Sequence, residues 1–287
     1  FYIKRINETT PTNNQPLSLI DFISSKPEWQ RLLIENFKEN TNAKSLLQCL
    51  IDKDELIIAS DGSKTRTKSG GGWVIATKDG TIIIRGANPD FGQLDKMHSY
   101  RSEVYASLAS QLFIKIYAEY FKVIIESKIT SYCDNKAHVD RLKQFIADPY
   151  MTRSLYKQTE QEAYRIILQI QNPQFQILHV RSHQDELKSN EELDTPAKLN
   201  IEADREATTK AKLPINTHLL SAPFAIYIKG KYIPHQFESE LRQHHFREEA
   251  KSFLMQKYDW SNQTFQSIDW ISHDKSIKTT RYSQKRF

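Results

Sequence analysis

The chain has 287 residues, of which 39% are hydrophobic, so it is long enough for one packed core domain with additions. Its 40 lysines and arginines exceed its 35 acids, and a net charge of +5 permits contact with a polyanion without requiring it. The two cysteines, Cys49 and Cys133, lie far apart without metal-ligand spacing, which argues against a disulfide framework or a zinc site and favours a reducing compartment.

No apolar run approaches the length of a membrane span, and the start of the chain does not read as a secretory leader. We therefore expect an intracellular protein, in the cytoplasm or nucleus, with no membrane partner. Because the chain opens on Phe1, we also expect it to be a piece of a longer protein, such as a polyprotein.

Residues 1–53 are predicted to be a helical lead-in or connection without catalytic residues. An amphipathic segment starts near residue 17, and Pro27 is placed to begin a second helix whose buried face includes Phe37. Thr41 or Asn42 is expected to cap a third helix.

Residues 55–86 predict three consecutive antiparallel strands, because apolar runs alternate there with turn residues. The first run ends on Asp61. Its side chain either only caps a following turn or is part of a functional site. Residues 62–71 predict a basic, flexible loop beside Asp61, and the Asp-Gly pair at 79–80 predicts a hairpin.

The rest of this region brings further acids at the ends of predicted elements. Glu103 lies near the start of a helix, at the edge of its apolar face, and Asp134 follows a fourth strand. Helices are predicted over 136–147 and about 152–171, then a fifth strand over 175–180. Pro196 opens a last helix, on which Asp204 lies beside the packing face while Glu202 points away.

Four carboxylates placed in this way are expected to meet at one edge of a mixed sheet, where strand ends and covering helices build ligand sites. Carboxylates brought together repel one another unless a cation neutralises them. Oxygen ligands of this kind predict a hard divalent metal ion.

Five short motifs stand in a single order along this region: residues 60–63 (Ser-Asp-Gly-Ser) with the Gly-Gly-Trp of 71–73, 101–103 (Arg-Ser-Glu), 133–135 (Cys-Asp-Asn), 179–185 and 199–204. In this respect the chain resembles the ribonuclease H domains, particularly those attached to retroelement reverse transcriptases. The resemblance covers about residues 55–212. It implies an α/β fold, a five-stranded mixed sheet flanked by helices, and an endonuclease that cuts the RNA strand of RNA/DNA hybrids.

The resemblance also implies roles for particular residues. Asp61, Glu103, Asp134 and Asp204 would hold two Mg²⁺ ions, which Mn²⁺ could replace, and Asp61 would bridge both. His183 resembles the family histidine that assists proton transfer or product release, although a solvated loop histidine is the alternative. It stands 21 positions before Asp204, across a polar insertion. Expected substrate contacts are Ser63, Lys64, Arg66, Ser99, Tyr100, Asn135 and Lys136.

We expect three regions: the lead-in at 1–53, a ribonuclease H-like catalytic domain at 54–212, and a small α+β extension at 213–287. The extension predicts a hairpin at about 224–233, a charged helix over 238–257, and a last helix capped by Ser261 that carries Trp270. It either packs as an appendage with a basic, solvated end or binds nucleic acid or a partner.

Three functions remain open at this point. The resemblance favours a metal-dependent ribonuclease H that acts on RNA/DNA hybrid downstream of a reverse transcriptase polymerase domain. A DNA-cutting integrase or resolvase-type nuclease on the same fold is one alternative, and the aspartate on the last helix, where integrases generally place glutamate, argues against it. The other alternative is an inactive domain that only binds nucleic acid or acts as a scaffold, which would commonly lose carboxylates.

Overall fold

A six-stranded sheet lies at the centre of the first of two units in this computed structural model, Phe1–Gln236, and the second unit is Phe237–Phe287. The structure describes residues 2–5, 18–91, 98–148, 160–186, 188–189, 191–212, 224–228, 231–232 and 237–268. Their strands are β1 (Tyr2–Arg5), β2 (Phe37–Glu39), β3 (Leu56–Lys64), β4 (Ser69–Thr77), β5 (Ile82–Pro89), β6 (Ile129–Cys133), β7 (Phe175–His179), β8 (Phe224–Ile228) and β9 (Lys231–Tyr232). Their α-helices are α1 (Leu19–Ser24), α2 (Glu28–Ile34), α3 (Leu46–Ile51), α4 (Ser99–Phe121), α5 (Lys136–Ala147), α6 (Gln161–Ile170), α7 (Thr195–Lys210), α8 (Phe237–Tyr258) and α9 (Asn262–Ser267).

The large sheet has the strand order β2-β5-β4-β3-β6-β7. The pairs β2–β5, β5–β4 and β4–β3 are antiparallel, whereas β6 runs parallel to β3 and β7 parallel to β6. The expected mixed α/β sheet is therefore confirmed, with β3 between β4 and β6. Since β3 and β6 are parallel, their carboxyl ends lie at the same edge.

Helices cover both faces of this sheet, as the continuous apolar runs of its central strands require. On one face Leu56, Ile58 and Trp73 join a core shared with helices α1–α6. On the other face Ile57 and Ala59 pack with residues of α7. Successive residues of β3 thus alternate between two cores, and both faces of the strand are buried.

The lead-in contains the three expected helices, but two of its details were wrong. Phe37 lies in β2 rather than on a helix, because α2 ends at Ile34 and the chain pairs with β5 in the register Phe37↔Gly86. This sixth strand covers hydrogen-bonding groups that β5 would otherwise expose at a sheet edge. The cap of α3 is Ser45, whose hydroxyl accepts a hydrogen bond from the Gln48 amide, and not Thr41 or Asn42.

The prediction of a flexible loop after Asp61 was also wrong. Strand β3 continues to Lys64 and β4 begins at Ser69, so only Thr65–Lys68 turn, closed by a 2.8 Å hydrogen bond from the Thr65 amide to the Lys68 carbonyl. The glycines at 70–72 pair in the sheet. Because the chain stays in the strand after Asp61, the Asp61 side chain has no following turn to cap.

Several predictions for the second half of the chain are confirmed. Helix α5 has the expected bounds, and the α7 cap is Asp194 with proline in the first turn. Strands β8 and β9 form the predicted hairpin, and β8 also pairs with β1, so a strand of the lead-in joins the extension in a three-stranded sheet.

In the second unit, α8 closely matches the predicted charged helix, and Ser261 caps α9. Residues 149–159, which include the first part of the helix expected from 152, lie outside the described residues, as do Trp270 and the basic residues after it. Among the helices that are described, none combines the length and apolar character that a membrane crossing needs.

Candidate active site

The pairing of β3 with β6 places Asp61 beside Asp134. The two strands pair in parallel up to Ala59↔Tyr132, and each aspartate lies two residues further along its strand direction. Asp61 is 8% exposed, and its Oδ1 accepts a 2.6 Å hydrogen bond from the Gly62 amide. Asp134 is partly buried. Both carboxylates therefore lie at the same edge of the sheet.

Helix α4 brings Glu103 to this edge because Gly62 has no side chain. A Cβ on Gly62 would lie 2.5 Å from the Glu103 amide nitrogen and 2.7 Å from the Cβ of Ser102, closer than packed atoms approach. The start of α4 thus rests directly on the residue after Asp61. Glu103 is 5% exposed, so it is fully within the buried surface rather than at its border as expected.

Helix α7 brings Asp204 to the other face of the sheet by the same means. Gly72 pairs with Asp61 in the β3–β4 register, and a Cβ on it would lie 2.2 Å from both the Ala203 carbonyl oxygen and the Ala207 amide nitrogen. The α7 backbone therefore packs against the strand pair at the level of Asp61. Asp204 stays partly exposed, and its Oδ1 accepts a 3.2 Å hydrogen bond from Thr208.

The four carboxylates interact electrostatically. Burial, the Asp134 charge and then the Asp204 charge raise the pKa of Asp61 to about 7, against the opposing effect of a hydrogen bond with Glu103. Burial, Asp61 and Asp134 raise the pKa of Glu103 well above its ordinary value. Burial also raises the pKa of Asp134, while the nearby imidazoles of His183 and His179 oppose that rise.

Within the part of the chain that the structure describes, no salt bridge involves any of these four carboxylates. A buried set of acids without a cationic partner is costly unless protons or metal ions neutralise it. Carboxylate oxygens are the ligands that Mg²⁺ prefers, so the donor set fits a divalent metal site. The ligand atoms of Glu103, Cys133 and Asp134 lie within 4.8 Å of one another, close enough to share an ion.

His183 lies close to this edge, in the loop after β7. Its side chain is 68% exposed, and its backbone has a φ of 49°, a conformation that is uncommon outside glycine. Its influence on the pKa of Asp134 places the ring near that carboxylate. The Nε2 atom of His179 lies 3.0 Å from the Asp134 carbonyl oxygen, which ties the end of β7 to the end of β6.

The expected substrate residues lie at several places around the site. Asn135 caps α5 by accepting a hydrogen bond from the His138 amide, and the exposed Lys136 follows it. Exposed Ser99 begins α4, while the Tyr100 hydroxyl belongs to an internal network, 2.6 Å from the Tyr164 hydroxyl and 3.0 Å from the Arg141 guanidinium that donates to it. The remaining three lie at the end of β3 and in its turn: Ser63, Lys64 and Arg66.

Sequence reasoning missed the group that supports the start of α4. Arg101 is 1% exposed and donates hydrogen bonds to the Phe91 carbonyl at 2.8 Å and to the Tyr105 hydroxyl at 2.9 Å. It also pairs with the buried carboxylates of Glu160 and Glu162. The available signal was its position two residues before Glu103. Glu202, expected to point away, pairs with Arg85 and Arg205.

No protein-family model matches the chain, and no curated protein sequence matches it. Among solved structures, LC11-RNase H1, isolated from compost by a metagenomic approach, is 14% identical, over 54% of this chain and 94% of that one, with a TM-score of 0.36. Its complex with RNA/DNA hybrid gives 15% identity, coverage of 54% and 95%, and a TM-score of 0.37. RNase H1 from the halophilic archaeon Halobacterium salinarum is 19% identical, over 53% of this chain and 99% of that one, with a TM-score of 0.32.

The strand order, the two parallel pairings and the helices on both faces define a ribonuclease H-like α/β fold, with β2 as an added edge strand.

Proposed function

We propose that this chain is a metal-dependent endoribonuclease that cleaves the RNA strand of RNA/DNA hybrids, as part of a retroelement reverse transcriptase polyprotein. One observation carries the proposal: four carboxylates from two strands and two helices interact at a single edge of the sheet, and among the described residues none of the four forms a salt bridge. The motif resemblance supports the hybrid substrate and the retroelement context.

In this proposal Asp61, Glu103, Asp134 and Asp204 would hold two Mg²⁺ ions, or Mn²⁺ in their place. When bound, such ions activate the attacking water and stabilise the leaving oxygen of an in-line displacement. The positions of the four carboxylates in the fold support this proposal. Asp61 and Asp134 are held by strand register, and the other two by helices that contact glycines of β3 and β4.

His183 is proposed to move a proton near this site or to assist product release. Its ring is exposed and near Asp134, so one face is open to solvent and to an incoming substrate. An imidazole ring nitrogen can accept a proton and return it, which suits general acid–base chemistry. A loop position also lets the ring move as substrate enters or leaves.

The proposed contacts with the hybrid lie around the same edge of the sheet. Ser63, Lys64 and Arg66 project from the β3 end and its turn, and Asn135 and Lys136 begin α5. Lysine and arginine side chains there would contact phosphates, so binding is expected to weaken steeply with salt. Ser99 offers an exposed hydroxyl, whereas Tyr100 would contact substrate through its ring, because its hydroxyl is already bonded internally.

The test is cleavage of a hybrid whose RNA strand is labelled, with Mg²⁺ and with Mn²⁺, beside duplex DNA of the same sequence. We expect internal cuts in the RNA of the hybrid only, and no cleavage by Asp61→Asn. Glu202→Gln is the matched control, because Glu202 lies on the same helix as Asp204 but pairs with two arginines. This variant is expected to keep full activity.

Other outcomes would support the alternatives. Hybrid binding without cleavage in either metal would identify an inactive scaffold domain, and cleavage of duplex DNA would identify an integrase or resolvase-type nuclease. For the retroelement context, we expect the genomic reading frame upstream of this chain to encode a reverse transcriptase polymerase domain. An unrelated upstream frame would contradict that part of the proposal.

A further inference from the structure

A buried thiol lies among the proposed metal ligands. Cys133 is the last residue of β6, is fully buried, and immediately precedes Asp134. Its Sγ lies 3.5 Å from Oε2 of Glu103, to which it donates, and accepts a 3.4 Å hydrogen bond from the Asn135 amide. This sulfur and one carboxylate oxygen each from Glu103 and Asp134 lie within 4.8 Å of one another.

The sulfur changes which metals the cleft prefers. Mg²⁺ selects oxygen ligands and octahedral geometry, and a thiol offers it little. Zn²⁺, Co²⁺ and Cd²⁺ bind thiolate strongly and accept a tetrahedral site of three protein ligands with one position left open. Burial raises the pKa of the Cys133 thiol, so a metal must displace to solvent the proton that the thiol donates to Glu103. The resulting thiolate with two carboxylates is such a set, and none of the three groups forms a salt bridge with a described residue.

We propose that Cys133, Glu103 and Asp134 form a binding site for a thiophilic divalent ion such as Zn²⁺, which excludes the Mg²⁺ ions and so inhibits the nuclease. Two of the three ligands are shared between the two kinds of metal, so both cannot occupy the cleft. The inhibitory consequence rests on the proposed function, whereas the binding of Zn²⁺ does not.

The competing interpretation is that Cys133 only fills space. A free cysteine is commonly a small buried apolar residue, and Cys133 does belong to the large core. The two interpretations differ in what the sulfur does when a metal is added. A packing residue leaves the metal in an all-oxygen site, whereas a ligand forms a metal–sulfur bond that can be observed directly.

Cobalt absorption tests for that bond without any activity measurement. Metal-free protein is titrated with Co²⁺, and thiolate ligation gives a strong near-ultraviolet charge-transfer band that oxygen ligands do not give. The chain has two cysteines, so in Cys49→Ser only Cys133 remains to produce the band. We expect the band in wild type and in Cys49→Ser, its absence in Cys133→Ser, and its disappearance when Zn²⁺ is added.

The size of the effect is measured by Zn²⁺ competition against Co²⁺ or a chromophoric chelator. Losing a supporting group beside a metal typically weakens binding ~10- to 100-fold, so loss of a direct ligand in Cys133→Ser should weaken Zn²⁺ binding by more than ~10-fold. Thermal unfolding checks that the variants are folded. If Cys133→Ser does not fold, the Cys49→Ser chain decides the question alone.

Absence of the band in folded wild-type protein and in Cys49→Ser would overturn the inference, as would a band that persists in Cys133→Ser. Hybrid cleavage with Mg²⁺ is assayed separately, with and without Zn²⁺. A missing band with intact cleavage would reject the thiol site and leave the proposed function standing. A cobalt band in a protein that never cleaves hybrid would reject the function and leave the metal site standing.

Discussion

Replacing Asp61 with asparagine should stabilise the metal-free protein while it abolishes activity. The folded protein holds the pKa of Asp61 at about 7, above the ordinary 3.8, through burial and the neighbouring carboxylates. Ionisation is therefore less favourable in the folded than in the unfolded chain. Stability is lost as the pH rises from about 4 through about 7, and the full cost is present above that range.

The magnitude follows from the difference between the two pKa values. At about 1.4 kcal/mol per pH unit, a pKa of about 7 instead of 3.8 corresponds to about 4 kcal/mol of lost stability. The asparagine amide is itself costly to bury, so we expect a net gain of about 2–4 kcal/mol in Asp61→Asn at about pH 8. At about pH 5 the gain should be less than half as large.

The assay is urea unfolding with a chelator present, repeated with Mg²⁺. On the proposed function, added Mg²⁺ should stabilise wild type and reverse the order of the two proteins, because a ligand that binds only the folded state stabilises it. Asp79→Asn is the control. Asp79 accepts hydrogen bonds from Thr77 and the Thr81 amide in an exposed hairpin turn, which lower its pKa, so its replacement should give no gain at alkaline pH. A loss of stability in Asp61→Asn at about pH 8 without metal would refute the reasoning.

Three further predictions concern the support of the site and the role of His183. Gly72→Ala places a Cβ 2.2 Å from the α7 backbone, so the helix must move by about 1 Å and kcat/KM for hybrid cleavage should fall ~100-fold. Gly86→Ala overpacks the Trp73 ring on the opposite face of the sheet from α7, and should cost about 1–3 kcal/mol in urea unfolding without a comparable loss of kcat/KM per folded molecule. Arg101→Met removes the guanidinium from buried Glu160 and should cost about 3–5 kcal/mol in urea unfolding, and a cost below about 1 kcal/mol would contradict this. His183→Ala should lower kcat ~100-fold with an unchanged Tm, since the ring is exposed; an unchanged kcat would identify a solvated loop histidine.

The fold was predictable wherever one local pattern decided it. The apolar run before Asp61, the Asp-Gly turn and the helix bounds of α5 depend on neighbours in sequence, and each agrees with the structure. Strand β2 was not predictable in this way, because a three-residue edge strand exists only where β5 offers it free hydrogen-bonding groups. Gly70 and Gly71 read as part of a loop because glycine has no side chain to show a strand pattern.

The candidate site was likewise predictable only in part. The order of the four acids and the elements that carry them could be read from the sequence, and in the structure these carboxylates influence one another's pKa. Their role as metal ligands stays a prediction, as do the roles of His183 and the substrate residues. Arg101 stands two residues before Glu103, but neither its burial nor the approach of Cys133 to Glu103 could be read from the local pattern, because each depends on a residue at least 30 positions away along the chain.

The sequence by itself determined which carboxylates are available and on which elements they lie. Only the tertiary structure decided how closely they meet. Gly62 packs against the backbone of Glu103, more than 40 positions away, and Gly72 packs against that of Ala207, more than 130 positions away. Each helix can approach its strand this closely only because glycine has no Cβ. The raised pKa values and the approach of Cys133 to Glu103 follow from that packing, since charges interact through distance and burial rather than through sequence order.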